Sequence, residues 1–352
     1  MDLKKHWYKV AAVLILTYVL LAGLLVPLKP GVLTVEPYII RSEAINKLAV
    51  EGYNSHYTSA NGDIAVWLKL DSIQGIKANK VTVLDDTHLE VVFNISQPFP
   101  ENRPTGTLMV HNEKDGTSLL PNFKLSNAKT DKTESFSGIS NSVINMPAIF
   151  FTKPGWQFPF RPFLHETIRN TFFHVAIWMA MFFLATVSLV YSILELRSHN
   201  YLTDIKASSF TSITILYGLI GIATGSLWAK TAWGVFWTAD VKLNMATVAI
   251  LIYLAYIILR SAIQDQDQRA RVSAAYNIFA YIAMIPLIFV IPRLPNTDSL
   301  HPGNGGNPAL GGEDLDNALR YVFYPSIIGL ILLGIWLSNL RFRVESLLNK
   351  ER

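Results

Sequence analysis

Cysteine is absent from the 352-residue sequence. A thiol relay, a nucleophile that forms a thioether and a cysteine metal site are therefore all excluded within this chain. The sequence also lacks a phosphate-binding glycine loop of the GxxxxGK type, so any use of ATP belongs to partners. No acid–base pair and no activated nucleophile stands out, which argues against a conventional enzyme. The lack of thiols suits an oxidising outer compartment.

Charged residues are also few. They form 16% of the chain, whereas 51% of it is hydrophobic, and the apolar residues come in blocks. A membrane-spanning helix needs about 20 mainly apolar residues. Six segments qualify: Val10–Leu28, Phe172–Leu194, Phe210–Leu227, Leu243–Ile263, Val272–Ile291 and Tyr321–Leu340. Because backbone groups in lipid must be satisfied internally, the sequence predicts an all-α polytopic membrane protein with six transmembrane helices.

The first apolar segment resembles a signal peptide, since lysines precede it. No small-residue cleavage site follows, and the chain continues as VPLKPGVL. We therefore predict that residues 1–29 form an N-terminal tail and an uncleaved first helix.

The short loops on one side of the predicted bundle are basic. With six spans, this side carries Lys4, Lys5, Lys9, Arg197, Lys206, Arg269, Arg271, Arg341, Arg343, Lys350 and Arg352. The positive-inside rule makes it cytoplasmic, together with both termini and the tail 346–352. The net charge of +4 needs no nucleic acid to explain it.

Residues 30–155 differ from the rest of the chain, because they are polar and alternate as strands do. Strands are predicted at 63–70, 80–84 and 89–95, and a hairpin joins 106–110 to 117–120. The sequence therefore predicts an inserted extracytoplasmic antiparallel β domain, a small sandwich, between helices 1 and 2. The Ser/Thr/Lys-rich stretch 129–141 is predicted to be a loop. We interpret His56, His88 and His111 as surface or turn histidines, and the domain as a docking surface for a partner.

The most unusual stretch is residues 228–240, WAKTAWGVFWTAD, which is predicted to be a short loop at the outer membrane surface. It holds Trp228, Trp233 and Trp237, with Gly234 among them and Asp240 at its end. Tryptophan offers a flat face and one N–H donor, so the three make a platform for a flat aromatic ligand. The alternative is an interfacial aromatic belt.

Two histidines fall on the same outer side as this loop. His174 lies within the apolar run of helix 2, where an ionisable residue is a functional hypothesis; the alternative is a hydrogen bond to a neighbouring helix. His301 lies in the turn-rich loop 292–308, where the alternative is a solvated histidine. Two imidazoles on opposite faces of a flat ligand, with tryptophans at its edge, describe a haem site. Helix 3, rich in small and hydroxyl residues, is predicted to be central.

Haem also carries two propionates, whose charge is met by cations or water. Arg169, Lys230 and Lys242 flank the predicted site, and the alternative for each is a snorkelling or interfacial cation. Asp240 would repel propionates. We therefore expect Asp240 to orient the loop by accepting a tryptophan or backbone N–H, or by pairing with Lys242.

These residues resemble a known pattern. The run from Gly221 to Leu243, with its Thr-Gly-Ser, three tryptophans and Asp240, is similar to the WWD signature of the haem-handling proteins of cytochrome c biogenesis. Among them it most resembles the cytochrome c maturation protein C (CcmC) family of six-helix membrane proteins. The segments around His174 and Ser299-Leu-His301 resemble that family's two histidine segments. The resemblance covers residues 165–345 and leaves out the β domain. We assign residues 156–345 to the five-helix haem-handling core.

The resemblance implies a role for each residue. His174 and His301 are implied as axial ligands to the iron of haem b. The implied haem platform is Trp228, Trp233, Trp237, Asp240, Gly234 and Phe236, and the implied propionate contacts are Arg169, Lys230 and Lys242. Such a protein presents haem to a membrane-tethered haem chaperone of the maturation protein E type. Its other implied partners are ABC-transporter subunits and a small membrane subunit, and its implied location is the bacterial inner (plasma) membrane, with the haem site and β domain periplasmic.

The chain departs from the family pattern at three positions. Ala239 stands where a further tryptophan is frequent, Ala176 where a proline is common, and Phe236 keeps an aromatic ring before Trp237. These departures indicate a divergent branch. Two other functions stay open: a cytochrome c synthase of the same superfamily that attaches haem directly to apocytochrome, and a non-haem transporter or sensor.

Overall fold

The computed structural model describes residues 3–60, 63–71, 74–100, 104–127, 143–146, 156–162, 164–294, 299–301 and 315–348. The chain divides into two compact units, one formed by Met1–Val26 with Thr167–Arg352 and the other by Pro27–Glu166. The first unit is helical and the second holds the strands. Residues 156–166, which the sequence analysis assigned to the membrane core, cluster with the strands. The predicted fold class, a six-helix membrane protein with an inserted β domain, is confirmed.

Within the described residues, six helices are long and apolar enough to cross a membrane. Their bounds are α1 Leu3–Leu25, α2 Ala176–Ser198, α3 Tyr201–Trp233, α4 Val241–Ala262, α5 Gln266–Ile285 and α6 Asn317–Leu348. The helices α3 and α6 extend furthest beyond their predicted spans. Hydropathy marks only the apolar part of a helix, whereas caps mark its ends. Asn200 begins α3 by accepting from the Leu202 N–H through its side chain.

The core of the helical unit forms around α2 and α3. The helix α2 packs against α3, α5 and α6, and α3 contacts α4, α5 and α6 as well. Small and flexible side chains fill the centre, where Ala180, Met181 and Leu184 are fully buried. The helix α1 packs on α6. Small residues let helix backbones approach closely in a membrane, and this is the arrangement that the composition of helix 3 indicated.

A buried polar network ties three of these helices together. Asn277 of α5 donates its side-chain amide to the hydroxyls of Ser188 and Ser192 on α2, at 2.9 and 2.8 Å. The Ser188 hydroxyl lies 2.6 Å from that of Thr211 on α3. Interhelical hydrogen bonds of this kind average about 0.6 kcal/mol in membranes. The network therefore contributes to the choice of helix partners more than to total stability.

One buried ion pair was missed by the sequence analysis. Both guanidinium Nη atoms of Arg260 in α4 donate to the Asp204 carboxylate in α3, at 2.7 and 2.6 Å. Such a bidentate pair is geometrically specific. The two residues lie far apart in sequence, Asp204 in a predicted loop and Arg260 near the end of a predicted span, so hydropathy alone does not pair them.

Among its described residues, the second unit contains ten strands. They are β1 Gly31–Glu36, β2 Ile39–Arg41, β3 Ala44–Tyr53, β4 Ala65–Lys69, β5 Gln74–Lys77, β6 Lys80–Val83, β7 His88–Ile95, β8 Thr105–Asn112, β9 Gly116–Ser126 and β10 Ile144–Asn145. One sheet has the order β1-β3-β7-β6 and the other β10-β5-β4-β8-β9-β2. Apolar side chains of both sheets, among them Val91, Phe93, Leu108 and Phe123, share one core. Two sheets around one core form a sandwich.

The strand register agrees with the turn chemistry of the sequence. The predicted hairpin is β8–β9, which closes at Gly116 with φ +76°. The turn from β6 to β7 is held by Asp85, which accepts the backbone N–H groups of Thr87 and His88. Among the described strand pairs all are antiparallel except β2, which runs parallel to β9. The predicted loop 129–141 lies outside the described residues.

The three histidines of this unit lie in local polar contacts. His56 Nδ1 lies 2.9 Å from Asp115, His88 pairs with Asp85, and His111 contacts the Thr117 hydroxyl. The Thr87 backbone N–H and the His88 side chain lower the pKa of Asp85 to about 2, so this turn keeps its charge in mild acid. Among the described residues, no three His, Asp or Glu side chains come together as a metal site.

Candidate functional site

His174 lies where helix 2 begins, in a turn of unusual width. Residues Thr171–Val175 form a π-helical turn, and Ala176 continues it as α2. π-Helical turns occur as short bulges and are frequent at functional sites. The wider turn sets the direction of the half-buried His174 side chain relative to the regular helix that follows.

A seam of glycines on α3 receives the side chains of α2. The His174 ring lies over Gly225 so closely that an added Cβ would be 2.6 Å from His174 Cε1. One turn away on each helix, Trp178 lies over Gly221, where an added Cβ would be 2.7 Å from the indole. The pattern Gly221-x-x-x-Gly225 thus provides the space for both rings. Trp178 was in the predicted helix but was not singled out as a site residue.

Replacing Gly225 with alanine is expected to displace the His174 ring, since a methyl group cannot occupy the same space. If His174 binds a ligand, its affinity should fall roughly 10-fold, as is usual when the support of a metal ligand is disturbed. The measurement is a haemin titration of the detergent-purified protein, followed at the Soret band. Gly329→Ala is the control, because its Cβ would meet Leu16 at 2.8 Å in another helix contact. Equal losses in both variants would mean that only general packing had changed.

The tryptophan stretch is partly helical, which corrects the predicted loop over 228–240. The helix α3 continues through Trp233, and only Gly234–Asp240 is a loop. Alanine, lysine and threonine between the tryptophans continue the helix, and Gly234 ends it as a left-handed cap with φ +79°. Trp228 and Trp233 therefore project from one rigid helix end. Their ring centroids are 5.0 Å apart in an edge-to-face arrangement.

His301 lies among these rings. Its ring centroid is 5.8 Å from that of Trp228 and 6.5 Å from that of Trp233. The centroid of the His174 ring is 6.3 Å from that of His301, with 41° between the ring planes. The structure thus brings together four side chains from three separate regions, as the sequence predicted. Of the loop that carries His301, the described residues are 299–301.

The spacing of the two histidines fits two axial ligands of one haem iron. An imidazole nitrogen binds a metal at about 2.0–2.1 Å, and the ring centre lies roughly 1 Å behind it. Two imidazoles on opposite sides of one ion therefore place their centroids roughly 6 Å apart. The observed 6.3 Å agrees with that value. Both rings are half-buried. The plane of the Trp228 ring lies at 51° to that of His301.

Asp240 connects the loop of His301 to the helix that follows the tryptophans. Its Oδ1 accepts the backbone N–H groups of Lys242 and Leu243 and so caps α4. Its Oδ2 accepts the Leu300 N–H at 2.7 Å, next to His301. Burial opposes the charged form of Asp240, but the Ser299 hydroxyl and these N–H donors outweigh it and lower the pKa. Asp240 is therefore an anion that fixes the position of His301.

The cations predicted near the propionates have partners within the protein. Arg169 Nη1 donates to the carbonyls of Gly23 and Val26 at the end of α1, at 2.8 Å each. Lys230 Nζ donates to the Gly234 carbonyl at 2.7 Å and lies over the Phe236 ring. The backbone of Lys242 is held by Asp240. The propionate roles of all three stay predictions.

The tip of the loop is the exposed part of the cluster. Phe236 is 55% exposed and Trp237 is 40% exposed. The Phe236 carbonyl accepts from the Ser226 hydroxyl at 2.9 Å, which holds the loop against α3. The tip therefore presents aromatic surface outward while its backbone stays fixed.

This fold and this cluster define a polytopic membrane protein in which two histidines and two tryptophans meet at one end of the helix bundle. A family model described as "Heme exporter protein C", CcmC, matches residues 144–352. Similar proteins of that name come from Bradyrhizobium diazoefficiens, Paracoccus denitrificans and Escherichia coli K12. The first is 28% identical over 191 residues, which cover 53% of this chain and 69% of the relative. The second is 25% identical over 183 residues (51% and 73%), and the third 27% over 202 residues (56% and 79%).

The match covers more than half of the chain, so this protein belongs to the haem exporter protein C family. The matched residues contain the helices α2 to α6 with His174, His301 and the tryptophan stretch. Most of the β unit lies before the matched residues.

Proposed function

We propose that this protein binds haem between His174 and His301 at the outer face of the membrane that it spans. It then delivers the haem to a membrane-tethered haem chaperone during cytochrome c maturation. Membership of the haem exporter protein C family supports a role in haem handling. The observation that carries the proposal is the approach of the two imidazole rings to 6.3 Å beside Trp228 and Trp233.

In this proposal, His174 in the π-helical turn before α2 and His301 on its loop would hold haem b. Trp228 and Trp233, fixed at the end of α3, shield the ligand from water, and the exposed loop tip with Phe236 and Trp237 faces the acceptor. Haem supplies the iron and the vinyl groups that an acceptor captures. The chain contains no cysteine, so it has no thiol that could form a covalent bond to those vinyl groups. Bound haem therefore stays free to leave.

The charge of the loops supports an orientation with both termini in the cytoplasm of a bacterium and with the haem site and β domain in the periplasm. ABC-transporter subunits and a small membrane subunit are the proposed partners in the same maturation complex. The β unit, residues 30–155 in the proposed domain division, is a docking surface for a partner. These assignments rest on loop charge and on the family.

The proposal is tested by mixing the haemin-loaded protein with two acceptors in turn. One is the soluble domain of a membrane-tethered haem chaperone, and the other is an apocytochrome peptide with a CxxCH motif. After separation by size, the Soret absorbance of each acceptor gives the haem transferred. We expect transfer to the chaperone. Transfer to the peptide alone would favour a synthase instead.

Trp233→Ala should lower the transfer to the chaperone about 2- to 10-fold, since an aromatic contact contributes about 0.5–1.5 kcal/mol. Trp7→Ala is the matched control, because Trp7 lies exposed near the start of α1. Equal transfer by wild type and Trp233→Ala would remove Trp233 from the proposed platform.

A further inference from the structure

The His174 ring has two hydrogen-bond partners on α3, the Thr224 hydroxyl and the Gly221 backbone. Its Nδ1 lies 3.1 Å from the Thr224 hydroxyl oxygen on α3. The same oxygen lies 2.9 Å from the Ile220 carbonyl and 3.1 Å from the Gly221 carbonyl. A threonine within a helix commonly donates to a carbonyl of the preceding turn in this way.

The hydroxyl of Thr224 has only one hydrogen. Both nearby carbonyls can only accept, so that hydrogen is directed to the backbone of α3. Towards His174 the Thr224 oxygen can then act only as an acceptor. With the hydroxyl hydrogen assigned to the backbone of α3, the imidazole carries its own hydrogen on Nδ1, and Nε2 is the nitrogen left to bind a ligand.

We propose that Thr224 is a positioning residue that selects the Nε2-ligating tautomer of His174 and fixes the direction of its ring. This inference rests on the proposed function, because it assumes that His174 binds the haem iron. An N–H donated to an outer partner holds a metal-ligating histidine in place and raises its basicity as a ligand. Thr224 therefore strengthens the bond of His174 to the iron and favours the oxidised, more positively charged iron.

The helix contact makes this arrangement rigid. Gly225 follows Thr224 and allows the His174 ring to lie directly on α3, where an added Cβ would be 3.3 Å from Nδ1. The hydroxyl and the space for the ring thus come from adjacent residues of one helix. The sequence marked Thr224 as a hydroxyl residue of helix 3 and as part of the WWD-like run, but its contact with His174 depends on the packing against α3.

The test compares Thr224→Val with Thr224→Ser in the full-length protein. Valine keeps the shape but removes the acceptor, whereas serine keeps the hydroxyl. Haemin titration is expected to show a 10- to 100-fold weaker affinity for Thr224→Val, and a value near that of the wild type for Thr224→Ser. A redox titration should show a higher midpoint potential for the valine variant. Thr231→Val is the control, since the Thr231 hydroxyl bonds only its own helix in the contacts seen, to the Trp228 and Leu227 carbonyls.

Correct folding of each variant is checked by thermal unfolding followed through tryptophan fluorescence. Unchanged affinity and potential in Thr224→Val, with binding abolished in His174→Ala, would overturn the role of Thr224 and leave the haem site intact. A serine variant as weak as the valine variant would also overturn it. If His174→Ala itself leaves the spectrum unchanged, the proposed haem site fails, and this inference fails with it.

Discussion

Replacing His174 or His301 with alanine is expected to abolish the absorption spectrum of low-spin haem with two histidine ligands. In the proposed site each ring would supply one of two axial nitrogens, and axial ligation is a main determinant of the properties of haem iron. Loss of an outer-sphere partner alone typically costs about 10- to 100-fold in metal affinity, so loss of a ligand should cost at least roughly 100-fold. The double variant His174→Ala/His301→Ala should retain no haem through purification.

The measurement is the absorption spectrum of the detergent-purified protein, oxidised and reduced, before and after haemin is added. The matched control is His199→Asn. His199 ends α2 at the opposite end from His174 and has a left-handed backbone that asparagine tolerates. An unchanged Soret band in both alanine variants would show that the two histidines are not axial ligands. The tryptophans would then be interpreted as an interfacial belt.

Asp240→Ser is expected to separate the two functions of Asp240. Serine caps a helix about as well as aspartate, so α4 should keep its first turn. The shorter side chain cannot reach the Leu300 N–H, which Asp240 binds at 2.7 Å. His301 then loses its fixed position. We expect haem affinity to fall roughly 10- to 100-fold, as for other supporting residues of metal ligands.

Asp240→Ala should give the same loss of haem affinity and, in addition, lose the cap of α4. Removal of such a cap costs about 0.5–2 kcal/mol, so the thermal unfolding temperature of this variant should be lower than that of Asp240→Ser. Haemin titration of the two variants therefore reports on the hydrogen bond from Leu300 to Asp240. Thermal unfolding reports on the cap that Asp240 provides to α4. Wild-type haem binding by Asp240→Ser would show that the Leu300 contact does not position His301.

The sequence predicted the chemistry of the candidate site better than its local structure. His174 and His301 stand out because one is ionisable within an apolar run and the other lies in a loop on the same side of the bundle. Tryptophans stand out by their number. Nothing local in the sequence shows that the first two belong to a helix, since Gly234 and not Trp228 ends α3. Composition therefore located the platform, and the position of the helix end required the structure.

Contacts between distant residues were the ones that the sequence could not supply. Thr224 contacts His174, and Trp178 lies over Gly221, only because α2 packs on α3. Asp204 lies in a predicted loop and Arg260 near the end of a predicted span, and their pairing depends on the contact of α3 with α4. In the β unit, the hairpin that closes at Gly116 was predicted from local residues. The strands β1 and β3 were not, because their apolar alternation is weak and their pairing is long-range.

The hydrogen bonds of Arg169 have a consequence for the architecture of the chain. They join Gly23 and Val26, which lie just before the β unit in the sequence, to Arg169, which lies just after it. A side chain of the helical unit thus bridges the two positions between which the β unit is inserted in the sequence. A domain is readily inserted where the two ends of the host chain lie close together. The β unit is thus an insertion between two chain ends that the helical unit holds together through its own residues.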